Sequence, residues 1–443
     1  MFHSMRAGQI IGVLVLTLFV FGVVMVASAG LRPLPRTQNS IEVDPDTGSL
    51  YQAESTGAEA SASGRSSNLA GRQVMDTVLG KEGRMAMIAV LALAIGTLIP
   101  VERLAALKGL AAPAPWLLTL MVTLLLMTLI IGRETYGAVR WLDIGGVSFQ
   151  PSEIAKWGLP AVIAWHCVRH AEGMKRFLTG VTPPLLLGGF VCVLIAKEDL
   201  GTAVLVMTVC VLMLLVAGAR FGHLAAIAPV GLLGFVGFVL MSPERQRRIT
   251  AFLDPFEYAR EDAYQLIQSM GAIAEGGFGG RGLGHSLQKF DYLPFDHTDF
   301  IFAIICEELG FFGATLLIGI FIGILLAGLA IVTGRSSPAG SDEELSETAM
   351  PPFSRLFGFG ILCTFGLQAV INIAVVTGLA PTKGIALPLV SQGGTGWILT
   401  AFSLGLLISM DRRAWAVSRR AGLVSEGDDG NSPKPGLLAV GEV

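Results

Sequence analysis

Between residues 244 and 310 the chain changes character: apolar segments give way to ERQRRITAFLDPFEYARED, then to a glycine-rich stretch, then to HTDFIFAIICEELG. Asp299 stands at the start of the last of these, where an apolar helix begins. A carboxylate beside an apolar span is costly, so such residues generally face a bundle interior, a partner or a polar cavity. A carboxylate held in that way can act as a general base toward a hydroxyl. Thr298 is expected to cap the helix and put Asp299 in its first turn, near the positive end of the dipole. His297 is two residues away. Glu307 and Glu308 lie ~12 Å or more further along the axis, too far to pair with Asp299, and a supporting role beside a basic group is expected for them. Arg245, Arg248 and Arg281 bring guanidinium groups that match anionic oxygens bidentately. Gln268, in the helically spaced AYQLIQSMGAIA, and Lys289 complete the polar candidates of this stretch.

Three more patches face the same side. In GAVRWLDIGGVSFQPSEIAKWG, Arg140, Trp141 and Asp143 are read as a surface loop and Gln150-Pro151 as a helix start. Glu153 and Lys156, three apart on one helical face, can pair. Lys197, Glu198 and Asp199 form a turn between two spans. NIAVVTGLAPTKGIALPLVSQGGTG, with Asn372, Lys383 and Ser391, has the Pro and Gly content of broken helix, which membrane depth tolerates only around a cavity or protein interior. Gly277, Gly279 and Gly282 spell a formal GxGxxG, yet no strand precedes it and no βαβ unit surrounds it. Tight turns and close backbone approach explain these glycines better.

The elements that position these groups follow from composition. Of 443 residues, 52% are hydrophobic and 15% charged, with a mean hydropathy of +0.65. An ordinary soluble enzyme, a disordered chain and a disulfide scaffold are excluded. A formal net charge of -3 gives no reason to expect nucleic acid. The five cysteines lack CxxC spacing and read as small buried hydrophobes. Apolar stretches recur at about 11–23, 86–100, 115–131, 154–168, 179–196, 200–217, 223–241, 300–334, 356–376 and 395–410. Without period-two alternation these are helices, so the expected fold class is all-α: a polytopic membrane protein with about ten spans. The first is expected to be an uncleaved helix. A cytoplasmic N-terminus gathers Arg103, Lys108, Arg169, Lys175, Arg176, Arg220, Arg335, Arg355, Arg412 and Arg413 on the inside, and with an even count both termini lie there. The outer side then carries a long connection rich in arginine, which suits an anionic ligand. A transmembrane domain is expected over 1–413, with a polar outer insert at 37–70 and a catalytic outer loop at 242–299. An acidic connection is expected at 336–350 and a partly disordered cytoplasmic tail at 414–443.

The motifs in order resemble those of the SEDS (shape, elongation, division, sporulation) family, the FtsW/RodA/SpoVE type. The resemblance covers about residues 10 to 413. It rests on RWLDIGGVSFQPSEIAK (Arg140 to Lys156), DLGTA (Asp199 to Ala203), FLDP (Phe252 to Pro255), YQLIQSMGAIAEGGFGGRGLG, QKFDYLP, HTDFIFA (His297 to Ala303), EELG (Glu307 to Gly310) and NIAVVTGLAPTKGIALPLVSQGG. It departs from the family's pattern at Phe295, at Lys383 and at Gln392. The resemblance implies a peptidoglycan glycosyltransferase of the bacterial cytoplasmic membrane that polymerises lipid II into glycan strands on the outer face. It implies division or cell-shape work beside a class B penicillin-binding protein, a single-span transpeptidase, and other divisome or elongasome membrane proteins. The aspartate of its His-Thr-Asp-Phe motif maps onto Asp299, which is then the catalytic residue. Arg140, Glu153, Lys156, Asp199, Arg245, Arg248, Gln268, Arg281, Lys289, His297, Thr298 and Ser391 are expected around the substrate. Glu307, Glu308, Asn372 and Lys383 are expected as supports. No cofactor is required by any motif, and a divalent cation, Mg or Mn, is compatible with a diphosphate. Two other readings are a flippase or transporter of a lipid-linked precursor, and a non-catalytic scaffold of the wall-synthesis complex.

Overall fold

The computed structural model describes residues 6–30, 41–43, 50–52, 80–135, 138–144, 147–197, 199–287, 298–334, 350–392 and 394–420. Lys289, His297, Phe295, most of the 37–70 insert, the connection 336–349 and the tail beyond 420 lie outside the described residues.

Each of the ten apolar stretches falls on a helix. These are α1 (Ala7–Ala29), α2 (Lys81–Leu98), α4 (Pro113–Ile131), α5 (Pro151–Arg169), α6 (Thr182–Ala196), α7 (Leu200–Val216), α8 (Phe221–Leu240), α11 (Ile301–Val332), α12 (Pro352–Val376) and α13 (Gly394–Arg420). The chain is a polytopic, mostly α-helical membrane protein. By length and composition seven of its described helical segments can cross a membrane; α2, α5 and α7 are shorter or more polar. Between these run α3 (Val101–Ala106), α9 (Pro243–Leu253) and α10 (Tyr264–Gly276).

Helices without a hydrophobic drive toward each other must gain contact by close approach, which small residues permit. α13 lies along α2 in this way. A Cβ at Gly96 would fall 2.5 Å from the Phe402 carbonyl, and one at Gly405 would fall 2.3 Å from that of Leu93. α12 sits centrally against α5, α7 and α11, while α1 packs on α11 and α13. α8 is different. Only Leu224 and Val239 of it are buried, and its chief neighbour is α9. A helix apolar on every face and so little covered is built to face hydrocarbon.

Two small strand groups supplement the helices. β1 (Ile41–Val43) and β2 (Leu50–Gln52) pair antiparallel within the polar insert. β3 (Arg133–Thr135), β4 (Ala138–Ile144) and β5 (Val147–Phe149) form a ribbon between α4 and α5, with Arg133 opposite Trp141 and Leu142 opposite Phe149. Arg140, Trp141 and Asp143 therefore belong to a strand rather than to a loop. The ladder settles this, because a ribbon folded back on itself satisfies backbone groups that an open loop leaves to water. All five cysteines are free thiols, four of them buried.

Candidate active site

Asp299 lies in a turn, residues 298–300, ahead of α11, whose N-cap is Phe300. Thr298 is thus not the cap, and Asp299 precedes the first helical turn. The helix starts two residues later than the sequence suggests. Asn372 meets the turn from α12: its Nδ2 donates to the Asp299 carbonyl at 2.8 Å and to the Ile385 carbonyl at 2.7 Å. One buried amide nitrogen thereby fixes the turn against the connection joining α12 to α13. Gln368, one helical turn earlier on α12, donates Nε2 to the Ala386 carbonyl at 2.8 Å. A Cβ added at Gly384 would lie 3.0 Å from Asp299 Oδ2 and 3.7 Å from Arg140 Nη1, so carboxylate and guanidinium converge on that glycine.

Two cavities meet at this point. The outer, of about 460 Å³, is lined by the cations Arg140, Arg248, Arg260 and Lys383, by the acids Glu261 and Asp262, and by Tyr264 and Gln265, among others. The inner, of about 320 Å³, is lined by Gln150, Glu153, Lys156, Asp199, Thr298 and Gln368, among others. Arg140, Trp141, Asp299 and Gly384 line both. Asp299 therefore stands at the waist of one cleft built from chain segments distant in sequence.

The two cavities differ in charge. In the outer, Lys383 is pushed below the ordinary lysine value of 10.5, first by burial and then by Arg248, with Asp199 opposing. Such crowding of cations in a half-covered space favours an anionic occupant. Arg248 also bonds Glu244 at 2.6 Å. In the inner cavity Lys156 Nζ, 4% exposed, meets Glu153 Oε1 at 2.6 Å. Asp199 caps α7, accepting from Thr202 N at 3.0 Å and Thr202 Oγ1 at 2.7 Å. Its charges come paired and capped, leaving amide and hydroxyl edges for a neutral polar group.

Other expected substrate contacts are employed elsewhere. Arg245 donates to the carbonyls of Ala196, Lys197 and Phe238 at 3.3, 3.0 and 3.0 Å. Those oxygens belong to the ends of α6 and α8, where helical carbonyls lack internal partners. Arg281 pairs with Glu275 and lies 4.0 Å from Glu307 Oε1. Ser391 Oγ accepts from Leu387 N at 2.7 Å inside a tight turn. None of these three, nor Gln268, lines either cavity. Conversely Arg260, Tyr264, Gln265 and Gln368 line the cleft although none is singled out as a substrate contact; Arg260 belongs to the arginine-rich outer connection, and Tyr264 and Gln265 open the YQLIQSMGAIA motif. For Gln265 against Gln268 only the phase of α10 decides, and the sequence around them is polar and apolar by turns.

Glu307 and Glu308 are fully buried. Glu308 Oε2 accepts from Ser28 Oγ at 2.6 Å, and Glu307 Oε1 accepts from Leu287 N at 2.6 Å. Ser286 Oγ donates to Glu307 as well. These carboxylates hold the 281–287 segment and the end of α1, and the basic partner expected for Glu307 is Arg281. The glycine run packs beside them, backbone on backbone. Gly310 kinks α11 with φ +65°, and a Cβ there would meet Gly280 N at 2.3 Å. Arg281 N and Gly282 N each donate at 2.9 Å to the carbonyls of Glu307 and Glu308. Close approach, not a nucleotide, accounts for these glycines. The divalent cation considered above finds no group of three His, Cys, Asp or Glu ligands among the described residues.

The sequence profile of the FtsW/RodA/SpoVE family, described as cell cycle protein, matches residues 60–415. A probable peptidoglycan glycosyltransferase FtsW of Geobacter sp. (strain M18) is 40% identical over 284 residues, 64% of this chain and 74% of the relative. Stage V sporulation protein E of Bacillus subtilis (strain 168) is 38% identical over 292 residues, 65% and 76% of the two chains. Among solved structures, one described as the structural coordination of polymerization and crosslinking by a peptidoglycan synthase complex superposes with a TM-score of 0.61. It has 27% identity over 75% of this chain and 89% of that one. The rod shape determining protein RodA of Thermus thermophilus gives 0.57 at 24% identity, over 91% and 96%, and so supports the fold.

Proposed function

The chain belongs to the FtsW/RodA/SpoVE family of cell cycle proteins, and on that premise we propose that it is a peptidoglycan glycosyltransferase polymerising lipid II on the outer face of the bacterial cytoplasmic membrane. The observation that carries the reading is the position of Asp299 at the junction of an outer cavity holding Arg140, Arg248, Arg260 and Lys383 and an inner cavity of paired charges. A glycosyl transfer from a diphosphate-linked sugar needs an anion site and a hydroxyl site, with a base between them. Asp299 takes the proton from the C4 hydroxyl of one saccharide. The freed oxygen bonds to C1 of the other, and the C1–oxygen bond to the polyprenyl diphosphate breaks with its electron pair on the leaving group. Arg140, Arg248, Arg260 and Lys383 hold the diphosphate. Glu153, Lys156 and Asp199 shape the inner cavity that orients the saccharide hydroxyls. Asn372 positions the Asp299 turn.

Translocation is the rival. A flippase needs a polar path through the bundle, whereas the cavity beyond Glu153 and Lys156 is lined by Trp157, Leu399 and Phe402. That apolar floor favours polymerisation at one face. The expected partner is a single-span transpeptidase that crosslinks the strands, as the synthase-complex neighbour's description suggests. The test is polymerisation of purified lipid II by the reconstituted protein. Asp299→Asn, nearly isosteric, should leave the protein folded in membrane and reduce strand formation below detection. Strands of normal yield from that variant would remove Asp299 from the mechanism.

A further inference from the structure

Two oxygens in the walls of the inner cavity have no part in the reaction above. Gln368 is 5% exposed. Its Nε2 is spent on the Ala386 carbonyl, and its Oε1 is buried and accepts from no group among the described residues. The amide is locked that way round, because the reversed side chain would set Oε1 against the Ala386 carbonyl, two acceptors face to face. Glu153 is divided similarly. Its Oε1 accepts from Lys156, while its Oε2 is buried without a donor. A Cβ on Gly396, another wall residue, would meet only this carboxyl, with Oε2 at 3.5 Å. Oε2 therefore borders the space in front of Gly396. Each buried oxygen left without a donor is costly.

Neighbouring donors are committed elsewhere. Thr202 Oγ1 donates to Asp199, and Gln392 Nε2 donates to Glu82 at 2.6 Å. An occupant that pairs with the two oxygens brings the donors itself. A hydroxyl turns to give or to take, whereas an amide N–H only gives, so a locked acceptor discriminates best for an N–H. Charge narrows the choice. Glu153, Asp199 and Asp299 line the cavity with Arg140 and Lys156, and this balance disfavours an acidic substituent. A neutral sugar with an acetamido group meets these conditions. Gln368 lies one helical turn from Asn372, which holds the Asp299 turn, so its Oε1 reads the occupant close to the base.

We infer that the inner cavity is the subsite for the peptide-free 2-acetamido sugar of the acceptor, with Gln368 Oε1 accepting from its amide N–H and Glu153 Oε2 from a ring hydroxyl. Gln368 is then a specificity-determining residue, and the sugar that carries the peptide is left to the outer cavity with the diphosphate. The identity of the occupant rests on the polymerase reading. Saturation-transfer NMR on the full chain in nanodiscs needs no turnover and tests the subsite. The probes are methyl N-acetyl-β-glucosaminide and methyl 2-O-acetyl-β-glucoside, in which an ester oxygen replaces the N–H. Wild-type protein should bind the first about tenfold more tightly. Gln368→Met removes the acceptor at nearly the same length and should bring the two affinities together. Equal affinities in wild type, no transfer to either probe, or a preference that survives in Gln368→Met would overturn the subsite. If Gln368→Met is not monodisperse, Gly396→Ser decides. Its hydroxyl gives Glu153 Oε2 a donor from the chain, so both probes should bind about tenfold more weakly, and unchanged affinities would overturn the subsite. Lipid II polymerisation by the same wild-type preparation separates the two readings. Strands with equal probe affinities sink the subsite alone; a probe preference without strands sinks the polymerase and leaves the subsite.

Discussion

Asn372 divides one amide nitrogen between two carbonyls, and one of them belongs to the residue on which the proposed chemistry depends. Removing it in Asn372→Ala leaves both oxygens short of a donor, at about 1–3 kcal/mol each if they stay buried. It also lets the Asp299 turn drift. The expected result is a fall in kcat of about a hundredfold with a smaller change in KM, since misplacement by 1 Å costs that much. A KM effect alone in single-turnover polymerisation assays would make Asn372 a binding residue instead. Lys383 bears on pH. Its pKa is lowered by burial and by Arg248, so it loses its charge at a lower pH than an exposed lysine, and the outer cavity weakens as an anion site on the alkaline side. Lys383→Arg keeps the charge, and the alkaline limb of kcat/KM should move to higher pH. For stability the sign is the reverse of a salt-bridged lysine: the unfolded chain binds the extra proton, so stability rises with pH between the lowered value and 10.5. An unchanged alkaline limb in Lys383→Arg would mean that another group titrates there.

At the scale of elements, the kink in α11 does two jobs. It breaks the helix at Gly310 and lets the 276–284 segment lie flat against the carbonyls of Glu307 and Glu308. Gly310→Ala adds a Cβ both at φ +65° and within 2.3 Å of Gly280 N. The expected destabilisation is at least ~2 kcal/mol, read as a lower thermal midpoint in detergent, and the wild-type midpoint in that variant would show that the kink relaxes freely. Arg245 is the corresponding lock between α6, α8 and α9. Arg245→Gln should loosen α8, whose other cover is slight, and so raise hydrogen exchange in 221–253 while leaving the proposed diphosphate contact at Arg248 in place. The HTDF and EELG motifs were readable as important because carboxylates at a span are rare. The expected division, Asp299 catalytic and Glu307 and Glu308 supporting, could be stated there, but not the partners: only packing sends Asp299 into an open cleft and Glu307 onto Ser286 and Leu287.

At the scale of the whole molecule, one cleft collects β4, the start of α5, the α6–α7 turn, α10, the Asp299 turn and the α12–α13 connection. Cysteine labelling in intact cells checks the proposed direction of that cleft. Position 299 should react with an impermeant reagent from outside, and position 412 should not. The sequence alone determined the helices, since runs of apolar residues allow lipid no other backbone, and it determined the motif set, because ionisable groups stand out against hydrocarbon. It could not phase side chains on short amphipathic pieces such as α10. It could not tell an arginine that caps carbonyls, Arg245, from one that faces a cavity, Arg248, three residues away. Those distinctions depend on which neighbour a side chain meets across the bundle. Partners of that kind, like Asn372 and Asp299, lie 73 residues apart in sequence and come together only in the folded chain.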